Sequence, residues 1–272
     1  MAVNAPPIDK GDSVAGIFLE QEDGVAWVTL SNPGRLNAIN VAMWRELHSV
    51  FTRLSDDLSL RCIVVRGDNG NFAAGADIRE FPRERADLVS VMHYHNQILA
   101  PALQAVQRCI HPVVAEIQGV CVGGGLELAS MCDLRIAAES ARFGVPINRL
   151  GFPMAPGEMQ GLLALAGRSV TMEILLEGRV FDAHEAYEKR LLTRVLPDAE
   201  LSAHVASVVD KLANGAPLAA RINKTTARRL TADARPLDEA ELQACFSYAE
   251  SHDHREGVRA FLAGERAIFT GA

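Results

Sequence analysis

The chain has 272 residues, of which 49% are hydrophobic and 22% charged, with a formal net charge of −7. These fractions exclude a disordered chain, a collagen and a coiled coil, and the length suffices for a sizeable core near the upper size of one compact domain. The acidic balance and the 6% aromatic content exclude a broad nucleic-acid surface or a base-stacking platform. They leave room for an anionic small ligand held by a few cations and helix N-termini.

In chain order, residues 1–13 are polar and Pro-containing, without the apolar core of a signal peptide, and are expected to form a flexible tail. Residues 24–30 read as a strand, rich in β-branched and aromatic side chains, and 31–34 as a turn. A helix is predicted over 40–53, where Met43, Leu47, Val50, Phe51 and Leu54 recur at helical spacing. Residues 62–65 form a short apolar strand, followed by a Gly/Ala-rich loop over 72–77. A helix over 88–110 is expected to kink or split at Pro101. Strands follow at 113–117 and 134–137, separated by a glycine triplet and a helix over 126–132. Prolines 146, 153 and 156 mark a loop-rich stretch, after which helices are expected over 157–166, 171–176, 218–230 and 238–269.

Short strands alternating with helices, then helices alone, give an α/β class with a helical C-terminal appendage. The apolar region 112–138 is broken by Glu116, Glu127 and Asp133, which makes a poor membrane span. The five cysteines are odd in number and lack CxxC or Cys/His metal spacing. Cys121 and Cys132 lie in apolar runs as small hydrophobes, and a reducing, cytoplasmic location without a metal site is expected. His93 and His95 are two residues apart on a predicted helix and face different directions, which gives no metal pair.

Two segments carry chemistry. Residues 72–78 and 119–129 both place small residues between a strand and a helix. Small side chains let a ligand approach the main chain, and N–H groups at a helix start have no internal partner. Two such groups aimed at one carbonyl oxygen would make an oxyanion hole. A lone glycine triplet ordinarily means tight strand–helix packing, but two such loops, one followed by an acid, point beyond packing. That acid is Glu127, between Leu126 and Leu128. Desolvation there would raise its pKa and suit it to proton transfer; the alternative is a first-turn Glu stabilised by the helix dipole.

With Asn37-Ala38, AAGAD at 73–77, GGGLELA at 123–129, CDLRIA at 132–137 and EGVRAFL at 256–262, the chain resembles the enoyl-CoA hydratase/isomerase (crotonase) superfamily from about residue 24 to 269. The resemblance implies a spiral of ββα turns over 14–200 and a helical region over 201–272 that builds trimers, often paired into hexamers. It implies an acyl-CoA thioester as ligand, with coenzyme A as part of the substrate and no further cofactor. The oxyanion N–H groups would fall on Ala76 and Gly124. Ala38, Ala74, Asp77 and Ile78 would line the CoA site, with Arg35 as a phosphate partner. Gly123, Pro146, Ile147 and Leu150 would also belong to the substrate or CoA site, and Phe261 matches an aromatic lent to a neighbouring subunit. Glu127 matches the first of two catalytic glutamates.

The second glutamate is missing, because Ile147 follows Pro146 where the acid should stand. Glu158 is a candidate substitute from another wall, although a solvated first-turn carboxylate after Pro156-Gly157 is the simpler reading. Glu116 reads as structural, and Asp133 as a cap or a partner of Arg135 or Arg142. The expected activity is that of an enoyl-CoA hydratase-like lyase. Isomerisation, decarboxylation, thioester hydrolysis and low-turnover acyl-CoA binding are the alternatives that Ile147 keeps open. Neither nucleic acid nor membrane is an expected partner.

Overall fold

In the computed structural model, residues 14–272 are described; the expected tail over 1–13 lies outside the described residues. Among these residues the strands are β1 (Gly16–Glu22), β2 (Val25–Ser31), β3 (Cys62–Gly67), β4 (Val113–Ile117), β5 (Val120–Val122), β6 (Leu134–Ala138), β7 (Arg142–Gly144), β8 (Val180–Asp182) and β9 (Arg194–Leu196). Six of them form one sheet in the order β1-β2-β3-β4-β6-β9, and β5-β7-β8 form a second, smaller one. β1 pairs antiparallel with β2, and the other pairs of the large sheet are parallel. β2 and β4 are buried along their whole length, as expected for parallel strands covered on both faces.

The helix Val41–Asp56 starts where Asn40 accepts a hydrogen bond from the Met43 N–H at 2.9 Å, and it buries Met43, Trp44, Leu47, Val50, Phe51 and Leu54 on one face. The helix Leu201–Ala213 covers the opposite face of the large sheet, where Leu201, Val205 and Val209 meet Trp27, Val64 and Ile136.

The stretch around Pro101 does more than kink. Helical residues Leu88–His93 pass into a π turn over Tyr94–Leu99 and then into the helix Ala100–Arg108. Proline has no N–H to continue the α ladder, and the Ala100 N–H reaches back five residues to the His95 carbonyl. The two helices expected over 157–166 and 171–176 lie within Pro156–Glu177, divided at Gly167, whose φ of +70° is not helical. β8 and β9 fall in the stretch beyond residue 176 that reads as mostly helical, and within the expected core of 14–200.

Two further expectations are corrected. The last helical stretch ends early: Glu239–Phe246 and His252–Ala263 are α-helical, and the chain beyond runs back along them. Asp253 draws it in by accepting the N–H groups of Thr270 and Gly271. Asp133 pairs neither with Arg135 nor with Arg142. It accepts the Val113 N–H at 2.7 Å and an ion pair from Lys224 at 2.7 Å, while Arg135 turns inward to the carbonyls of Leu191 and Cys132.

Lys224 also donates to the His111 carbonyl at 2.8 Å, and so ties the helix Pro217–Ala232 to the start of β4. Its side chain is only 8% exposed. Lys224→Met therefore leaves the carbonyl of buried His111 without this donor and takes the ion-pair partner from Asp133. A loss of about 2 kcal/mol in urea unfolding is expected, without a change in the secondary structure of the sheet.

Candidate active site

Two loops meet at the centre of the site. In the first, the Ala73 N–H bonds to the Val120 carbonyl at 2.9 Å and the Ala74 N–H to the Leu36 carbonyl at 2.9 Å. Ile39 bridges Ala76 in parallel: its N–H donates to the Gly75 carbonyl at 2.7 Å, and its carbonyl accepts the Asp77 N–H at 3.0 Å. In a parallel bridge the central residue's own N–H points away from the bridging strand. The Ala76 N–H accordingly has no acceptor among the described residues. Gly75 stands at φ +95°, a conformation open to glycine without strain.

In the second loop, the Gly123 N–H bonds to the Gly144 carbonyl at 2.8 Å, and Gly123 itself sits at φ +51°. The helix Gly124–Ser130 follows without a side-chain cap, and the Gly124 N–H likewise has no acceptor among the described residues. The loops are pressed together. A Cβ placed on Gly124 would lie 3.3 Å from the Ala76 nitrogen, and one on Gly75 would lie 3.2 Å from the Gly124 nitrogen. One on Gly125 would lie 2.3 Å from the Ala73 carbonyl oxygen. The parallel bridge between Ala73 and Cys121 sets this alignment.

Glu127 lies one turn into the second helix and is 4% exposed. Burial pushes its pKa well above the ordinary value, the charge of Glu158 pushes it further, and Arg85 opposes both. Its carboxyl group makes no hydrogen bond to another described residue.

Glu158 is not a solvated first-turn carboxylate. It is 4% exposed, and its Oε1 is hydrogen-bonded to His95 Nδ1. The cause is tertiary. A Cβ on Gly161 would meet Ser130 Oγ at 2.0 Å, and one on Gly157 would meet the Ala100 side chain at 2.9 Å. These glycines let the helix Pro156–Glu177 close on both Gly124–Ser130 and Ala100–Arg108. Glu158 stands one turn before Gly161, and Glu127 one turn before Ser130. The contact thus brings the two carboxyl groups within each other's field.

Next to them lies a cavity of about 760 Å³, lined by Ile78, Arg85, His95, Leu150, Phe152 and Met154, among others. His95 belongs both to this lining and to the hydrogen bond that holds Glu158. Leu150 and Ile78 are 54% and 56% exposed at its edge. Pro146 and Ile147 are half-buried, and Ile147 packs against the main core and is not part of that lining. Ala38 and Ala74 flank the first loop, half-buried. The Asp77 carboxylate is held by Arg79, whose hydrogen bonds keep its pKa below the usual range. Arg35 is exposed on the turn before Ile39. Phe261 is 85% exposed and lines a different groove, formed by the C-terminal helices and Phe269.

Glu116 is structural, accepting from Ser202 Oγ at 2.7 Å. Cys121 and Cys132 are packed in the core, and burial pushes the Cys132 thiol up to about 12. Among the described residues no group of three or more His, Cys, Asp and Glu is placed to hold a metal ion, and no helix is long and apolar enough to cross a membrane.

This arrangement has close relatives. A crystal structure described as an enoyl-CoA hydratase/carnithine racemase from Magnetospirillum magneticum superposes with a TM-score of 0.91 at 44% identity, covering 94% of this chain and 96% of that one. A Mycobacterium bovis protein named probable enoyl-CoA hydratase is 34% identical over 259 residues, 93% of this chain and 97% of its own length. A crotonyl-CoA hydratase of Syntrophomonas wolfei is 30% identical over 258 residues, covering 93% and 97%. The family model for enoyl-CoA hydratase/isomerase matches residues 20–271. With nearly its whole length matched by that model and by these relatives, the chain belongs to the enoyl-CoA hydratase/isomerase family.

Proposed function

We propose that this protein adds water across the α,β double bond of an enoyl-CoA, with Glu127 and Glu158 as its acid–base pair. The observation that carries the reading is the meeting of two buried carboxyl groups beside two main-chain N–H groups that have no acceptor among the described residues. The N–H groups of Ala76 and Gly124 would hold the thioester oxygen as it gains negative charge. Such charge makes the β-carbon a target for water.

Glu158 is the base in this scheme. In this scheme His95 Nδ1–H donates to it and fixes the direction of its lone pairs. It takes a proton from water as the water oxygen bonds to the β-carbon. Glu127 is the acid, because burial and its neighbour's charge keep the proton on it. That proton goes to the α-carbon as the enolate collapses. Glu158 thereby fills from another helix the role that Ile147 vacates. His95 acts through Glu158 and is a positioning residue. Homotrimers or paired trimers belong to the same proposal, supported by the exposed Leu242, Phe246, Phe261 and Leu262 of the C-terminal helices.

Loss of the enoyl absorbance of crotonyl-CoA, with formation of a 3-hydroxyacyl-CoA, tests the reading. Glu158→Gln is expected to lower kcat by about 10²-fold with little change in KM. A variant with undiminished kcat would return Glu158 to a structural role. Double-bond isomerisation is a second reading, favoured by Ile147 and requiring only Glu127 to move a proton. A 3-enoyl-CoA converted faster than crotonyl-CoA is hydrated would select it.

A further inference from the structure

Arg85 is the cation on the cavity wall that neither loop explains. It is half-buried and caged by aromatic rings, with its guanidinium carbon 3.7 Å from the Phe81 centroid, 4.5 Å from that of Tyr94 and 4.6 Å from that of Phe152. The rings hold the planar group in place but do not neutralise it. Its Nε is buried and makes no hydrogen bond in the structure. Among the described residues Arg85 forms no ion pair. The carboxylates nearest in sequence are engaged elsewhere: Glu84 pairs with Arg83 at 2.7 Å, Asp87 accepts the Ser90 N–H at 2.8 Å, and Glu80 accepts the Val41 N–H at 2.7 Å. The cavity around it is otherwise lined mainly by Ile, Val, Met, Leu, Pro and Phe side chains, with His95 and Asn96 as the other polar groups.

A half-buried guanidinium held among rings, with no carboxylate paired to it among the described residues, is an unfinished site, because a cation drawn out of water gains from an anion that completes it. Its fork geometry matches a carboxylate in two-point contact. Arg85 lines the same cavity as His95, which holds Glu158, so that an acyl group reacting beside the two glutamates extends along the wall that carries Arg85. We propose that Arg85 binds a second carboxylate at the far end of the acyl chain, and that this cleft takes CoA monothioesters of short dicarboxylic acids. The inference rests on the reading of this cavity as the acyl site. The same cation disfavours an acyl group that ends in a quaternary ammonium, although three aromatic rings would otherwise suit one.

The test compares the CoA monothioesters of five- and six-carbon trans-2-enedioic acids with neutral 2-enoyl-CoAs of equal length. It uses the full-length wild type, Arg85→Met and Arg85→Lys. Dissociation constants for glutaryl-CoA and pentanoyl-CoA, which carry no double bond, are measured alongside. The wild type is expected to favour the diacid thioester about 10- to 100-fold in kcat/KM and in affinity, as suits a charge-assisted contact. In Arg85→Met that ratio falls toward one. In Arg85→Lys it falls part of the way, because an ammonium makes a single-point contact; this variant carries the comparison if Arg85→Met does not fold.

A wild-type ratio near or below one overturns the proposal. So does an Arg85→Met variant that loses both substrates equally with the ratio intact, since Arg85 would then serve Glu127 alone. If nothing is hydrated but glutaryl-CoA binds more tightly through Arg85, the proposal stands and the hydratase reading fails. If neither saturated thioester binds and no enoyl-CoA is hydrated, both fail.

Discussion

Glu127→Gln is expected to lower the hydration rate of crotonyl-CoA by about 10²- to 10⁴-fold, while making the folded protein more resistant to heat at neutral pH. Both effects have one origin. The carboxyl group is buried beside Glu158, and its pKa is raised well above the ordinary 4.5. An acid with a raised folded-state pKa binds its proton more tightly in the folded chain than in the unfolded one. Its contribution to stability is full below the unfolded pKa and is lost as pH climbs to the folded value. Glutamine has the same shape and no charge, and escapes that loss. The difference in melting temperature between variant and wild type should therefore grow as pH rises above about 4.5 and level off above the folded pKa. Melting curves across that range and stopped-time assays at pH 7 read the two effects separately. A slow variant that is also no more stable would mean that Glu127 is solvated in solution.

Gly125→Ala is expected to remove about 3 kcal/mol or more of stability and most of the activity with it. The added methyl would stand 2.3 Å from the Ala73 carbonyl oxygen, which is main chain and has no rotamer to escape into. That carbonyl also accepts the Val122 N–H at 3.1 Å, within the bridge that aligns the two loops. Relief of the clash must part the loops and move Ala76 away from Gly124. Gly34→Ala is the control. Gly34 has φ +72° but open space around it, and only the left-handed backbone cost of about 1 kcal/mol applies. Urea unfolding should separate the two variants clearly.

Much of the fold was legible because it is written locally. β2, β3 and β4 are dense in β-branched residues, and the helix Val41–Asp56 carries its own cap and apolar face. β5, β7, β8 and β9 have three residues each, too few to show a period. The two loops with small residues were visible, since glycine spacing is a property of the chain itself. What surrounds them was less so. Glu158 occupies a first turn, where solvation is the ordinary outcome, and its burial depends on Gly157 and Gly161 meeting other helices. Arg85 follows a four-residue helix in a charged stretch, and nothing local distinguishes it from Arg79 or Arg83. His95 was set aside because it made no metal pair with His93. A π turn at residues 94–99 shifts the helical phase, so spacing counted on an ideal helix misplaces the faces beyond it.

That turn also divides the labour of the long segment. No residue of Leu88–His93 is buried, and Leu88, Val89 and Met92 are exposed by 73%, 77% and 54%. The helix Ala100–Arg108 buries Ala100, Ala102, Leu103 and Val106 in the main core. The joint between them lets side chains of the front half, such as Val91 and Met92 on the cleft wall, change without disturbing the rear half, which is held in the folded interior. A replaceable surface and a fixed interior thus coexist within twenty-one consecutive residues, 88–108.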